Sequence, residues 1–366
     1  MKKYNSILIL CPYPEGKAPS QRLKYEQYIQ YFKDDGWSVD IKPFISIKFW
    51  DILYSKNNFF LKFFYTSVGY INRLVTLFTL HRYNVIYIHL WATPFGLPIY
   101  EYLVFKLSKN LIYDIDDLIF INENNNFSNN NKIINFLKGR GKPLFLIKNS
   151  SSVICCTPYL DEFVKKYNNN SYDISSTINT DILFPKINKY YSNNNSIILG
   201  WSGSFSTISY LYLISNVLIA LNKKYNIKLF ILGAEDFKIE GIDIKSQRWS
   251  ENLEVDFFQS IDIGLYPLPI DEQWVLGKSG LKAIQYMSAG LPTVATAVGA
   301  NFRVIDHNHT GFLAKNDIDW FNYLSQLIES PELRKNFGVA ARNKAVNDFS
   351  IISNKHKYLN ILSNYK

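Results

Sequence analysis

Short apolar runs of strand length alternate with longer helix-like segments along the whole chain. That alternation points to parallel sheets wrapped by helices, an α/β fold. In the first half, strands are expected near Ser6–Leu10, Ser38–Pro43, Val85–His89, Leu111–Asp114 and Ser152–Cys156, with helices over Gln21–Lys33, Leu97–Leu107 and Tyr159–Tyr167. In the second half, strands are expected near Ile197–Gly200, Ile227–Leu232, Ile242–Ile244, Ile263–Tyr266 and Thr293–Ala295, with helices over Tyr210–Tyr225 and Gly280–Ala289.

The pattern breaks once, at 184–196, where FPKINKYYSNNNS combines a proline with an asparagine run before a fresh strand, IILGW. Such a stretch reads as a linker between domains. The chain has 366 residues, 47% of them apolar, enough for two cores of ordinary size. The reading therefore gives two Rossmann-like domains, 1–185 and 186–345, facing across a cleft at the carboxyl ends of their strands. A second asparagine-rich stretch, 122–131, reads as a mobile loop.

Several function classes fall away. The start, MKKYNSILILCPYP, reads as a first strand and its turn rather than a leader, because Pro12 and Pro14 interrupt the apolar run. No apolar stretch is long enough to span a bilayer. Cys11, Cys155 and Cys156 lie in or beside strand-like runs and fit buried thiols in a reducing cytoplasm. The histidines show no zinc spacing, so no metal site is expected. Net charge is +9, but no recognition motif accompanies it, so nucleic acid is not an expected partner. Residues 52–100 hold no Asp or Glu, yet carry Lys56, Lys62, Arg73 and Arg82 beside Phe59, Phe60, Phe63, Phe64 and Tyr65. Such a surface fits an anionic membrane or a diphosphate-bearing lipid. The same residues would equally fit a buried aromatic helix pair.

Chemistry-bearing residues cluster in loops after strands. After the strand ending at Tyr266 comes Gly277-Lys278-Ser279-Gly280, where a helix opens. Free amides, a helix dipole and one lysine make an anion site, with a diphosphate as the natural guest. The competing reading has Ser279 capping the helix and Lys278 in solvent. Near the amino terminus, APSQRLKYEQ offers Ser20 as a helix cap, with Arg22 and Lys24 in the first turn. Cations there oppose the helix dipole, so an anionic ligand or acceptor would explain them; a solvated helix start is the alternative. In YDIDDLIF, Asp114, Asp116 and Asp117 crowd three carboxylates at a strand end, which fits ligation, hydrogen bonding or helix capping.

The segment from Ile263 to Leu313 resembles the donor-binding region of glycosyltransferase family 4. Gly290, Leu291, Pro292, Thr293 and Val294 match its Gly-x-Pro-x-Val element. Gly277, Lys278, Lys282, Gln285, Tyr286, Met287, Gly290 and Pro292 match a variant branch with GKxxxKxxQYMxxGxP. In that alignment the two family glutamates fall on Gly277 and Gln285. The family's Arg and Lys after the first strand of this domain are absent, which leaves Lys278 to neutralise a diphosphate. The resemblance implies a GT-B fold, with a closing helix over 346–366 packed back on the first domain. It implies a glycosyltransferase that retains anomeric configuration and uses a nucleotide-diphosphate sugar. Under it, Gly277, Lys278, Ser279, Gly280 and Leu281 meet the pyrophosphate, and Gln285 reaches the ribose. Ser202, Gly203 and Ser204, in ILGWSGSFSTISYL, admit the phosphates closely. Arg248 lies near the base, and Asp116 and Asp117 stand near the donor sugar as catalytic candidates beside Lys278. Ser20, Arg22 and Lys24 match a PSxRxRxEQ-like signature. GT-B enzymes generally need no metal, so no cofactor is expected. The expected acceptor is a glycan or a lipid-linked glycan of the bacterial surface, met in the cytoplasm or at the inner face of the membrane. Two other readings share the fold: a nucleotide-sugar 2-epimerase, and a catalytically inactive sugar-nucleotide-binding scaffold.

Overall fold

The computed structural model describes residues 5–118, 139–186 and 196–366. The stretch 122–131 and most of the linker 184–196 lie outside the described residues. The chain divides into two compact units, residues 1–175 with 354–366 and residues 176–353.

Unit 1 is built on β1 (Asn5–Cys11), β2 (Trp37–Pro43), β3 (Val85–His89), β4 (Leu111–Ile115), β5 (Ser152–Cys155) and β6 (Ser171–Asp173). All pair in parallel, in the order β2-β1-β3-β4-β5-β6. Its inner strands are buried along their length, as parallel strands covered on both faces must be. Unit 2 carries β7 (Ile198–Ser202), β8 (Lys228–Leu232), β9 (Asp243–Gln247), β10 (Ile263–Tyr266), β11 (Thr293–Thr296) and β12 (Gly311–Ala314). Their order is β12-β11-β10-β7-β8-β9, again all parallel. Each order reverses direction once, between β1 and β3 in unit 1 and between β7 and β10 in unit 2. Loops leaving the carboxyl ends of those pairs splay apart and leave a crevice, the usual ligand site of such sheets.

The units part at Ser175/Ser176 and Ser353/Asn354, rather than at the composition change near 185 or at 345. The reason is hydrogen bonding. Arg342 donates to the carbonyls of Thr180, Leu183 and Ser288, and the Ser288 hydroxyl donates to Leu183 O. Ile178 bridges to Ser350, and its amide donates to Phe349 O at 2.9 Å. These bonds pin 176–183 to unit 2. The helix Pro331–Phe349 stops at Ser350, whose hydroxyl accepts from Ser353 N as the helix Ile351–Ser363 begins. In unit 1, Tyr358 packs 4.4 Å from Tyr28, and the hydroxyls of Tyr365 and Ser152 lie 2.6 Å apart.

The helix Phe59–Leu77 settles part of the question left by the basic, aromatic stretch. Arg73 is 2% exposed, and its guanidinium donates to the carbonyls of Cys11, Lys42 and Ala92. It thus ties the helix to the ends of β1 and β2 and to the loop after β3. Arg73 therefore drops out of any basic surface. Lys62 donates to Ser55 O at 2.6 Å, while Lys56 and Arg82 stay exposed. The phenylalanines do not form a buried pair: Phe59, Phe60, Phe63, Phe64 and Phe78 are all exposed, Phe60 to 87%.

Candidate functional site

In unit 2 the residues at the β7/β10 crevice come together. The helix Leu281–Ser288 opens on Gly280, whose φ of 77° lies in the left-handed region that glycine tolerates. No side chain caps it, so the amides of Leu281, Lys282 and Ala283 are left over by the helix ladder. Ser279 does not cap; its hydroxyl accepts from Ser176 Oγ at 2.7 Å. Gly277 ends a 3-10 turn over Gln273–Gly277, and Lys278 N closes on Val275 O. The Lys278 ammonium lies 5.3 Å from the Trp274 ring, which packs on Tyr210.

The loop after β7 is drawn tight. Ser202 N donates to the Tyr286 hydroxyl at 3.0 Å, and Gly203 N donates to Leu232 O at 2.9 Å. A Cβ on Gly203 would lie 2.3 Å from the Trp201 ring, and one on Gly233 would lie 1.6 Å from Gly203 O. Two loops therefore touch backbone to backbone, which only glycine allows. Ser204 turns back on itself, its amide and hydroxyl engaging Thr207 and Ser206.

Gln285 is 6% exposed, and its amide nitrogen donates to Glu254 Oε1 at 2.8 Å. Glu254 lies on the helix Glu251–Ser260, and the sequence reading missed it. A carboxylate absent from position 285 thus reaches the same spot from another helix. Arg248 is exposed just beyond β9 and leads into that helix. Lys282, quoted above only as part of a motif, lies 4.8 Å from the Trp201 ring and 5.8 Å from Tyr266.

Unit 1 corrects the reading of its amino-terminal loop. The helix expected over Gln21–Lys33 is broken into Pro19–Arg22, a 3-10 turn Tyr25–Tyr28, and Ile29–Asp34. Ala18, not Ser20, is the first N-cap, and Pro19 follows it. The break falls at Lys24, whose non-helical backbone (φ −127°, ψ −111°) accompanies a side chain buried to 2% exposure. Its ammonium lies 2.5 Å from Asp114 Oδ1 and 3.7 Å from Asp116, and donates to Ile115 O. Lys24 is therefore committed inside the unit rather than offered to a ligand. Arg22 and Ser20 are partly exposed.

Asp114 is fully buried. Its other oxygen accepts from the Tyr87 hydroxyl at 2.6 Å and lies 3.1 Å from His89 Nδ1. Burial alone would raise its carboxyl, but Lys24 and then His89 overcome it and lower it to about 2. Burial opposes the charge on Lys24 as well, and Asp114 with Asp116 raises it above the ordinary lysine range. Asp116 and Asp117 remain partly exposed at the end of β4, and burial raises the Asp116 carboxyl. Of the three carboxylates, one is internal and two stand at the surface. Burial raises the thiols, Cys11 to about 11 and Cys155 to about 12, so neither is a ready nucleophile. Among the described residues no group of three or more His, Cys, Asp or Glu side chains is placed to hold a metal, and no helix is long and apolar enough to cross a membrane.

Two six-stranded parallel sheets with flanking helices, one per unit, define a two-domain GT-B fold. Residues 196–330 match the family described as Glycosyl transferases group 1, so unit 2 carries that family's sequence pattern. The whole chain is similar in fold to Anabaena Alr3699/HepE, solved in complex with UDP and glucose (TM-score 0.71, 14% identity, 99% of this chain and 100% of that one). It is similar in fold also to WaaG, a glycosyltransferase involved in lipopolysaccharide biosynthesis (TM-score 0.63, 14% identity, 97% of this chain and 99% of that one). Over 111 residues it is 29% identical to the trehalose synthase of Pyrococcus horikoshii, which covers 30% of this chain. The match spans 25% of the synthase's length.

Proposed function

We propose that the protein is a glycosyltransferase that takes a sugar from a nucleotide-diphosphate sugar. The observation that carries this reading is the β7/β10 crevice: an uncapped helix start, two lysines and a glycine-only loop contact. Together these are suited to a diphosphate. HepE was solved with UDP-glucose too, which makes a uridine nucleotide the first donor to try. The reading includes retention of configuration, with the departing diphosphate stabilised by the helix amides and lysine. It includes no metal. Asp116 and Asp117, at the carboxyl end of β4, serve the reacting sugar. The test is incubation of purified protein with a panel of radiolabelled nucleotide sugars. Release or transfer of sugar supports it, and absence of turnover with every donor and acceptor, with binding intact, would favour the inactive scaffold.

The acceptor in this reading is a lipid-linked or surface glycan met at the cytoplasmic face of the membrane. Its support is the helix Phe59–Leu77, which is anchored through Arg73 and leaves a row of phenylalanines in solvent. A side chain of that size gains about 1.5–3 kcal/mol when fully buried, so a few at a bilayer interface outweigh two lysine or arginine charges at about 1 kcal/mol each.

A further inference from the structure

Lys282 is the residue of the β7/β10 crevice that no family motif assigns a task. It is the second residue of the helix Leu281–Ser288. Its ammonium lies 4.8 Å from the Trp201 ring of β7 and 5.8 Å from the Tyr266 ring of β10, the two strands that flank the reversal of strand order. Its ammonium comes close to the loop after β7: a Cβ on Gly203 would lie 2.8 Å from Nζ. Among the described residues it forms no hydrogen bond and no ion pair, and no carboxylate stands within ion-pairing distance. The titratable groups around it are Lys278 in the preceding turn, Tyr266 on β10, and Tyr286 one turn further along the helix. Of these only Lys278 acts on its charge, by repulsion.

We infer that Lys282 is the side chain that meets the diphosphate of the donor, and that a proton is taken up from solvent when the diphosphate binds. The inference rests on the donor reading above and adds the residue and its proton. Desolvation, and then the like charge of Lys278, lower the Lys282 ammonium to about 7. A half-buried ammonium with a second lysine beside it and no anion is unfavourable, and a diphosphate removes the cause. Lys278, stacked on Trp274, then acts mainly by setting how readily Lys282 charges. The aromatic rings of Trp201 and Tyr266 pack against the neutral amine before a ligand binds, and the glycine at 203 leaves the anion room to approach.

Isothermal titration calorimetry at pH 8, in buffers of different ionisation enthalpy, counts the protons. The probes are UDP, ADP, GDP and CDP, with uridine as the ligand lacking phosphate. A nucleotide phosphate is fully ionised well below pH 8, so it contributes no proton itself. The expected result is uptake of close to one proton with the nucleoside diphosphate that binds, and none with uridine. Affinity should fall by nearly tenfold per pH unit above 7 while the bound lysine stays charged. Lys282→Met should lose the uptake and at least tenfold in affinity. Lys282→Arg, permanently charged, should bind with no uptake. Lys278→Ala should move the onset of uptake to higher pH. Binding without uptake in the unaltered protein, or uptake that survives in Lys282→Arg, overturns the inference and leaves the donor reading standing. Failure of all four diphosphates to bind overturns both. Should Lys282→Met not fold, the unaltered protein and the arginine variant decide.

Discussion

Lys24 and Asp114 form an ion pair 2.5 Å long that is shut away from solvent at both ends, and it holds the loop after β1 against the end of β4. Removing one partner leaves the other charge buried alone. Asp114→Asn is therefore expected to cost unit 1 about 3–5 kcal/mol, read as a fall in the melting temperature of its transition. Lys24→Met combined with Asp114→Leu should recover most of the loss, because neither charge then remains. A double variant as unstable as Asp114→Asn would show that the pair matters through geometry rather than charge.

The same pair predicts an acid limit. Asp114 is lowered in the folded state, so its contribution is present above the ordinary carboxyl range and is lost as pH falls toward its folded value of about 2. At 1.36 kcal/mol per pKa unit, roughly 2 kcal/mol should disappear between about pH 4 and pH 2. Circular dichroism melts across that window should show a steeper decline for the protein than for the Lys24→Met, Asp114→Leu variant.

Glu254 and Gln285 behave as one unit if their hydrogen bond positions the donor. Glu254→Ala and Gln285→Ala should each raise the KM for the donor several-fold, and the double variant should be little worse than either. Additive losses would separate their roles.

Gly203→Ala should abolish nucleotide binding with little change in the melting of unit 1. The added methyl meets the Trp201 ring and the Lys282 ammonium, so it closes the crevice. Retained affinity would place the diphosphate elsewhere.

Membrane binding through the helix Phe59–Leu77 should be driven by apolar insertion. Co-sedimentation with liposomes should fall sharply in a Phe60→Asp, Phe63→Asp variant, yet change little between low and high salt, because Arg73 is internal and Lys62 is engaged. Strong salt dependence would return the weight to Lys56 and Arg82.

Alternation of strand and helix made the two sheets legible, and the helix Leu281–Ser288 falls within one residue of its expected bounds at each end. The short strands β6, Ser171–Asp173, and β12, Gly311–Ala314, escaped the sequence reading. The break at Lys24 could not be read locally, because its cause is a carboxylate on β4. Arg73 misled a count of charges for a similar reason: a buried guanidinium that satisfies three carbonyls looks, in sequence, like any surface arginine. At the candidate site, the glycine and lysine pattern singled out the helix Leu281–Ser288, which opens without a side-chain cap. The lysine in the crevice depends on Trp201, far upstream on β7, and Glu254 carries no motif of its own.

The two crossings between the units lie side by side, because Ile178 bridges to Ser350. Topologically, unit 2 is an insertion within unit 1. The inserted unit holds all its own strands within 176–353, whereas its host needs Tyr358, beyond the insertion, to cover Tyr28 and Phe32. Shortening the chain at 353 would therefore damage the host and spare the insertion.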